Sequence, residues 1–260
     1  MRFDRRNQGR SARAGLLLSI LLLSATGIAA VLPPPEPSGT TFSNPTEITN
    51  RWFPVSPAAV KVFIGREDGQ KITIVETHRP ETRTFRWEGV EVECRVVDSL
   101  TFLAGTPIEL ERRYFAQADD GTVYCFGETE QGEDEKDDAD EKDDPDEPDP
   151  GGWVVGQLAA GDPADALSGA RPTVWMPAEP ANGDEWVLEE FPPAYDEQCR
   201  ARQIGETVRT PTGRYRDCLR LRKESPSDGQ RETAWHAPGV GLIKITGDGI
   251  RLRLQASTLR

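Results

Sequence analysis

From about residue 50 onward, apolar and polar residues alternate with a period of two, and no stretch sustains a helical period. Val60, Val62 and Ile64 alternate with Lys61 and Phe63, Arg66-Glu67-Asp68-Gly69 supplies a turn, and Lys71 to Thr77 returns as the partner strand of a hairpin. Val90, Val92, Cys94 and Val96 share one face of the next strand, with Glu91, Glu93 and Arg95 on the other. Ile108, Leu110, Tyr114 and Ala116 continue the pattern, and Asp119-Asp120-Gly121 turns the chain into Thr122 to Phe126. Near the end, Leu242 to Thr246, Gly247-Asp248-Gly249 and Ile250, Leu252, Leu254 form the clearest hairpin. One short helix is expected over 162–170. The fold class that follows is all-β: antiparallel meanders forming a curved sandwich or an open half-barrel.

An internal duplication is also expected. Gly89 precedes Cys94 by five positions and Gly213 precedes Cys218 by five. About twenty residues on come Tyr114-Phe115-Ala116 and Trp235-His236-Ala237, each before a tight turn, Asp120-Gly121 or Pro238-Gly239. In this alignment Arg95-Val96 meets Leu219-Arg220, which reverses inside and outside unless a bulge intervenes.

The first thirty residues stand apart. Arg2, Arg5, Arg6, Arg10 and Arg13 precede an apolar run from Ala14 to Leu32, with small residues at Ala25, Gly27, Ala29 and Ala30, the layout of an export signal. The run is close to the length that spans a bilayer, so retention as an anchor is the alternative to cleavage. The expected layout is a signal peptide over 1–30 and a Pro-rich extended lead over 31–49. A first β half over 50–127, an acidic disordered insert over 128–151 and a second β half of the same domain over 152–260 follow. The expected location is periplasmic or extracellular, with no stable membrane span once the signal is removed.

Charge sharpens this picture. The net charge is −13, and residues 128–150 alone contribute −12, from fourteen acids against Lys136 and Lys142. The leader carries +4, which leaves −5 on the folded remainder, with no basic excess to recruit nucleic acid. The acidic tract lacks the glycine and closing glutamate that an EF-hand loop needs at fixed spacing, so it reads as a solvated loop that meets cations or a basic partner. Four cysteines, Cys94, Cys125, Cys199 and Cys218, form an even set in an exported chain. Disulfides are therefore expected, with three connectivities open and four buried thiols as the alternative.

Candidate chemistry is sparse. The chain has two histidines, His78 and His236, and no HExxH, GxSxG, Walker or zinc-ribbon spacing. Gly239-Val240-Gly241 leads into a strand and reads as a turn. No catalytic residue, metal ligand or cofactor is assigned, and the reading is non-catalytic. The aromatic residues of the first half offer one site: Trp52, Trp87, Tyr114 and Tyr124 are expected to line an apolar cleft that shelters an apolar or extended ligand. The alternative is a structural or interaction module.

Several segments together resemble a family of exported bacterial proteins of unknown function. They are Asn50-Arg51-Trp52-Phe53-Pro54-Val55-Ser56-Pro57, Tyr114-Phe115-Ala116-Gln117 with Asp120-Gly121, Phe126-Gly127-Glu128, Met176-Pro177-Ala178-Glu179-Pro180 with Gly183-Asp184, and Ala237-Pro238-Gly239-Val240-Gly241. That family reads N-x-[FY]-F-P-L-x-P-G, W-Y-A-Q-D-x-D-G, M-P-A-x-P-x-x-G-D and Y-A-P-G-V-G. The resemblance covers about residues 44–245 and implies no catalytic residue. The acidic tract, and Ala58 in place of a glycine, are departures from it.

Overall fold

The structure is a computed structural model that describes residues 39–132, 151–189, 197–226, 229–247 and 249–259. Among these residues there is no helix and therefore none long and apolar enough to cross a membrane. The strands lie within one compact unit, Val31–Arg260.

Among the described residues, fourteen strands form one open, almost wholly antiparallel sheet. The first half comprises β1 (Val60–Glu67), β2 (Gln70–Trp87), β3 (Val90–Leu103), β4 (Thr106–Gln117) and β5 (Val123–Gly132). Short strands follow: β6 (Gly152–Val155), β7 (Leu167–Ala170), β8 (Thr173–Met176) and β9 (Glu185–Val187). The second half comprises β10 (Gln198–Thr210), β11 (Gly213–Glu224), β12 (Arg231–Ala237), β13 (Gly241–Gly247) and β14 (Ile250–Ser257). The order across the sheet is β7-β6-β5-β4-β3-β2-β1-β14-β13-β12-β11-β10-β9, with β8 added on β5. The halves join where β1 pairs with β14, so the first and last strands lie side by side at the middle. Only β6 and β7 run parallel. The sheet is curved but not closed; of the two expected architectures, the open half-barrel is the one formed.

Local chemistry explains the turns. Asp68 and Gly69 both have positive φ, 44° and 84°, as a two-residue hairpin turn demands, and Glu88-Gly89 and Ala104-Gly105 repeat the device. Gly65 is required for another reason: a Cβ there would collide with the carbonyl of Arg251 on β14. The 162–170 segment is not helical; its end forms β7, because pairing with β6 satisfies its backbone better than one isolated turn of helix.

Two boundaries move. Residues 39–49 are not a free lead: Phe42 packs edge-on against Tyr124 and Phe126, Ile48 is buried, and Thr41 and Ser43 donate to the Asp119 carboxylate. The acidic tract does not begin as a disordered loop either, because β5 continues to Gly132 and Glu128 is 3% exposed. Arg113 on β4 lies directly opposite Glu128 and supplies its counter-charge. The body of that tract, 133–150, lies outside the described residues, as does the leader.

The four cysteines are free thiols, all buried. Cys94 on β3 and Cys125 on β5 are separated by β4, about 9–10 Å at normal strand spacing and beyond disulfide reach. Cys199 lies opposite Lys223 and Cys218 opposite Glu206, so these two are several residues apart along β10 and β11. Cys218 also belongs to a different apolar cluster from the other three, which leaves none of the three connectivities complete. Burial raises all four thiol pKa values, which makes the thiols unreactive.

The two halves bury opposite faces. On the first half the outer face is apolar: Phe85 lies opposite Val92, Val96 opposite Tyr114, and Ala116 opposite Tyr124. Residues 151–170 cover it, with Trp153 and Val155 buried and Asp162 holding Arg83 through two hydrogen bonds of 2.6 and 2.8 Å. Arg83 also stacks on Phe85 and Tyr114, at 4.5 and 4.6 Å. On the second half the inner face is apolar, in a row Leu221, Ala234, Ile245, Leu252 read directly from the register. Equivalent pairings nonetheless recur, since Arg95 faces Phe115 as Leu219 faces His236. The reversed polarity in the repeat alignment is therefore a real difference in which face is buried.

Candidate functional site

The inner face of the curved sheet encloses a cavity of about 450 Å³ to which strands of both halves contribute. Its floor on the first half is a cross-strand row, Lys61, Glu76, Ser99, Glu111, Glu130, one residue from each of β1 to β5 and each directly opposite the next. Directly paired residues of adjacent strands point to the same side of a sheet, so all five face the cavity. Phe53 and Trp175 wall one part of the cavity, while Ala234, Leu242 and Leu252 line the second half. Nine glutamates face it against Lys61, Arg113 and Lys223, a formal excess of six negative charges if all are ionised.

The glutamates differ in their surroundings. Glu76 is buried, which alone would raise its pKa. The Lys61 ammonium at 2.9 Å and the His78 Nε2–H at 2.9 Å outweigh burial and hold the carboxyl well below its usual range. Ser56 N–H donates to Nδ1 of His78, so that nitrogen accepts and Nε2 carries the proton. Arg113, stacked 4.9 Å from the Trp175 ring, pairs with both Glu111 and Glu128 and lies 4.0 Å from Glu189. One guanidinium does not offset three carboxylates. Burial first, and then the charges of Glu128 and Glu109, push Glu111 up to about 8 against the pull of Arg113. Burial and a hydrogen bond donated by the Glu130 carboxyl to Glu128 raise Glu130 likewise, and Glu189 is raised chiefly by burial. Lys223 pairs with Glu197 at 3.0 Å, and that attraction outweighs burial to raise the ammonium pKa.

His236 also borders the cavity, but its Nδ1 donates to the Trp52 carbonyl at 3.0 Å and burial lowers its pKa to about 4. It is a neutral packing residue, with no nucleophile beside it. Among the described residues no group of three or more His, Cys, Asp or Glu side chains has the arrangement of a metal site. The cavity can screen, orient and neutralise a charged guest.

The expected apolar cleft is not formed. Trp52, Tyr114 and Tyr124 are buried in the apolar cluster of the first half, and Trp87 packs against it with its indole N–H lacking a partner. Tyr114 and Tyr124 sit on the outer face, which Phe42 and residues 151–170 cover, so they serve as packing. Residues that line the real cavity carried a weak signal: Glu109, Glu111 and Arg113 alternate along one strand, and Lys61 shares a strand face with Phe63.

Fold and site together define an all-β protein built as one curled open sheet around an anionic cavity. No known family model matches the chain, and no curated protein does. Two solved structures are similar in part. A protein described as exported, with a YmcC-like fold, from Bacteroides fragilis NCTC 9343 aligns with 11% identity and a TM-score of 0.43, over 80% of this chain and 99% of its own. A protein described as a lipoprotein, from Parabacteroides distasonis ATCC 8503, aligns with 12% identity and a TM-score of 0.40, over the same shares. Neither likeness says what this chain binds.

Proposed function

We propose that this chain is an exported, non-catalytic envelope protein whose cavity holds a small polar ligand bearing ammonium or guanidinium groups. The observation that carries this reading is the Lys61 to Glu130 row with Arg113 in its midst, where burial and the charges of neighbouring carboxylates favour the protonated form of Glu111 and Glu130. A cation that enters replaces those protons and removes the repulsion at once, with gain that low dielectric amplifies. Trp175 and Phe53 add ring faces for a cation or its methylene stem. An apolar guest, by contrast, would strip water from carboxylates without offering a partner. The leader supports an envelope location.

Calorimetric titration of spermidine into the chain at pH 7.5, in two buffers of different ionisation enthalpy, tests the reading. Saturable binding with proton release is expected, and Glu111→Gln/Glu130→Gln should weaken it about tenfold, the equivalent of about 1.4 kcal/mol. Saturable uptake of a fatty acid with none of spermidine would overturn it.

A further inference from the structure

The outer face of the second half carries its own charge pattern, independent of the cavity. Register places Arg222, Thr233, Thr246, Arg251, Arg66 and Lys71 in one unbroken row across β11, β12, β13, β14, β1 and β2. A neighbouring row reads Arg220, Trp235, Lys244, Arg253 on β11 to β14. Arg220 is paired with Glu206, and Arg222 with Glu224. Among the described residues, Arg66, Lys71, Lys244, Arg251 and Arg253 have no carboxylate within ion-pair distance. Lys244 lies 3.9 Å from the Trp235 ring, and burial followed by the neighbouring Arg253 charge lowers its pKa. Lys71, Arg251 and Arg253 are exposed, and no other segment of the described chain covers them.

We infer that this face docks on an anionic, phosphate-bearing membrane surface. Charge complementarity selects a polyanion, and the layout selects its shape. Six strands at about 4.8 Å spacing spread the first row over roughly 24 Å, and the second row widens it into a two-dimensional array. Such an array spreads its cations in two dimensions, as headgroups are spread, whereas a linear polyanion would follow one row and leave the other unused. Trp235, half-buried with its indole N–H donated to Glu206 at 2.8 Å, supplies the amphipathic ring suited to a headgroup layer. The whole-chain charge of −13 hides this face, because fourteen acids sit in the 128–150 tract and further glutamates line the cavity.

The test is sedimentation of residues 31–260, which form a compact unit of their own, with vesicles of phosphatidylcholine alone and with 40% phosphatidylglycerol. Partition onto the anionic vesicles only, falling as salt rises, is expected. At about 1 kcal/mol per basic residue near the surface, Lys71→Gln/Arg251→Gln/Arg253→Gln should lower partition roughly 100-fold. Arg51→Gln/Arg79→Gln/Arg86→Gln removes equal charge elsewhere and should change it much less. Circular dichroism confirms that each variant is folded. Equal losses in the two variants would overturn the assignment to this face. Capture by dextran sulfate without vesicle binding would overturn the membrane as partner. Its failure leaves the spermidine titration untouched, since none of the substituted residues lines the cavity.

Discussion

The two halves of the sheet use the same hairpin chemistry and opposite faces. The first covers an apolar outer face with Phe42 and residues 151–170 and turns its charges into the cavity. The second packs an apolar inner face and turns arginines outward. Charge has therefore different costs in the two places. An inward guanidinium such as Arg113 is surrounded by carboxylates that lose their counter-ion if it goes, while an outward one such as Arg251 stands in water.

Substitution should reveal that difference in order of size. Arg113→Met leaves Glu111, Glu128 and Glu189 without a cation, and urea unfolding should show a loss of about 3–5 kcal/mol. A loss below about 1 kcal/mol would mean that the inner charges are solvated and the contrast between halves is false. Ile243→Ala, in the fully buried apolar cluster of the second half, should cost about 2–4 kcal/mol by leaving a cavity. Gly65→Ala, which drives a Cβ into the Arg251 carbonyl where the halves meet, should cost about 1–3 kcal/mol.

Smaller in size but sharper in meaning is the pH dependence. Glu111 and Glu130 have folded pKa values raised to about 8 from 4.5, so the folded chain binds more protons than the unfolded chain between those values. Their contribution is fully present below pH 4.5 and is lost as pH rises through about 8. Glu76, held low by Lys61 and His78, acts in the opposite sense: its contribution is present above 4.5 and is lost in acid. Thermal unfolding from pH 5 to 8.5 should show falling stability. Glu111→Gln/Glu130→Gln should flatten that limb and raise Tm at pH 8 by about 2–4 °C, the equivalent of about 1 kcal/mol. An unchanged slope would place both carboxyls in a solvated setting. Smallest of all, Arg251→Gln should move stability by less than about 0.5 kcal/mol, as an exposed surface change.

Much of the fold was legible in the chain. The hairpins at Asp68-Gly69 and at the C-terminal pair were read at the right places, because turn residues and period-two alternation are local properties. The burial of Val92, Cys94 and Val96 on one face followed from the same rule, while Val90, read onto that face with them, is exposed at the start of the strand. The cavity was not legible. Glu128 and Glu130 looked like the start of a solvated acidic loop, and only the register of β5 on β4, which sets them opposite Arg113 and Glu111, places them on the inner face. Tyr114 and Tyr124 looked like cleft walls because an aromatic residue carries no mark of which face its sheet will cover.

The amino-acid order by itself determined that this is an all-β chain of short-turn meanders with its acids concentrated in one tract, since backbone preference and alternation act over a few residues. Only the tertiary structure decided which face of each half is buried, that five strands align Lys61 with Glu130, and that basic residues from β14, β1 and β2 share one row. Those facts depend on register between strands up to about two hundred residues apart, where a shift of one residue would send every side chain to the other side.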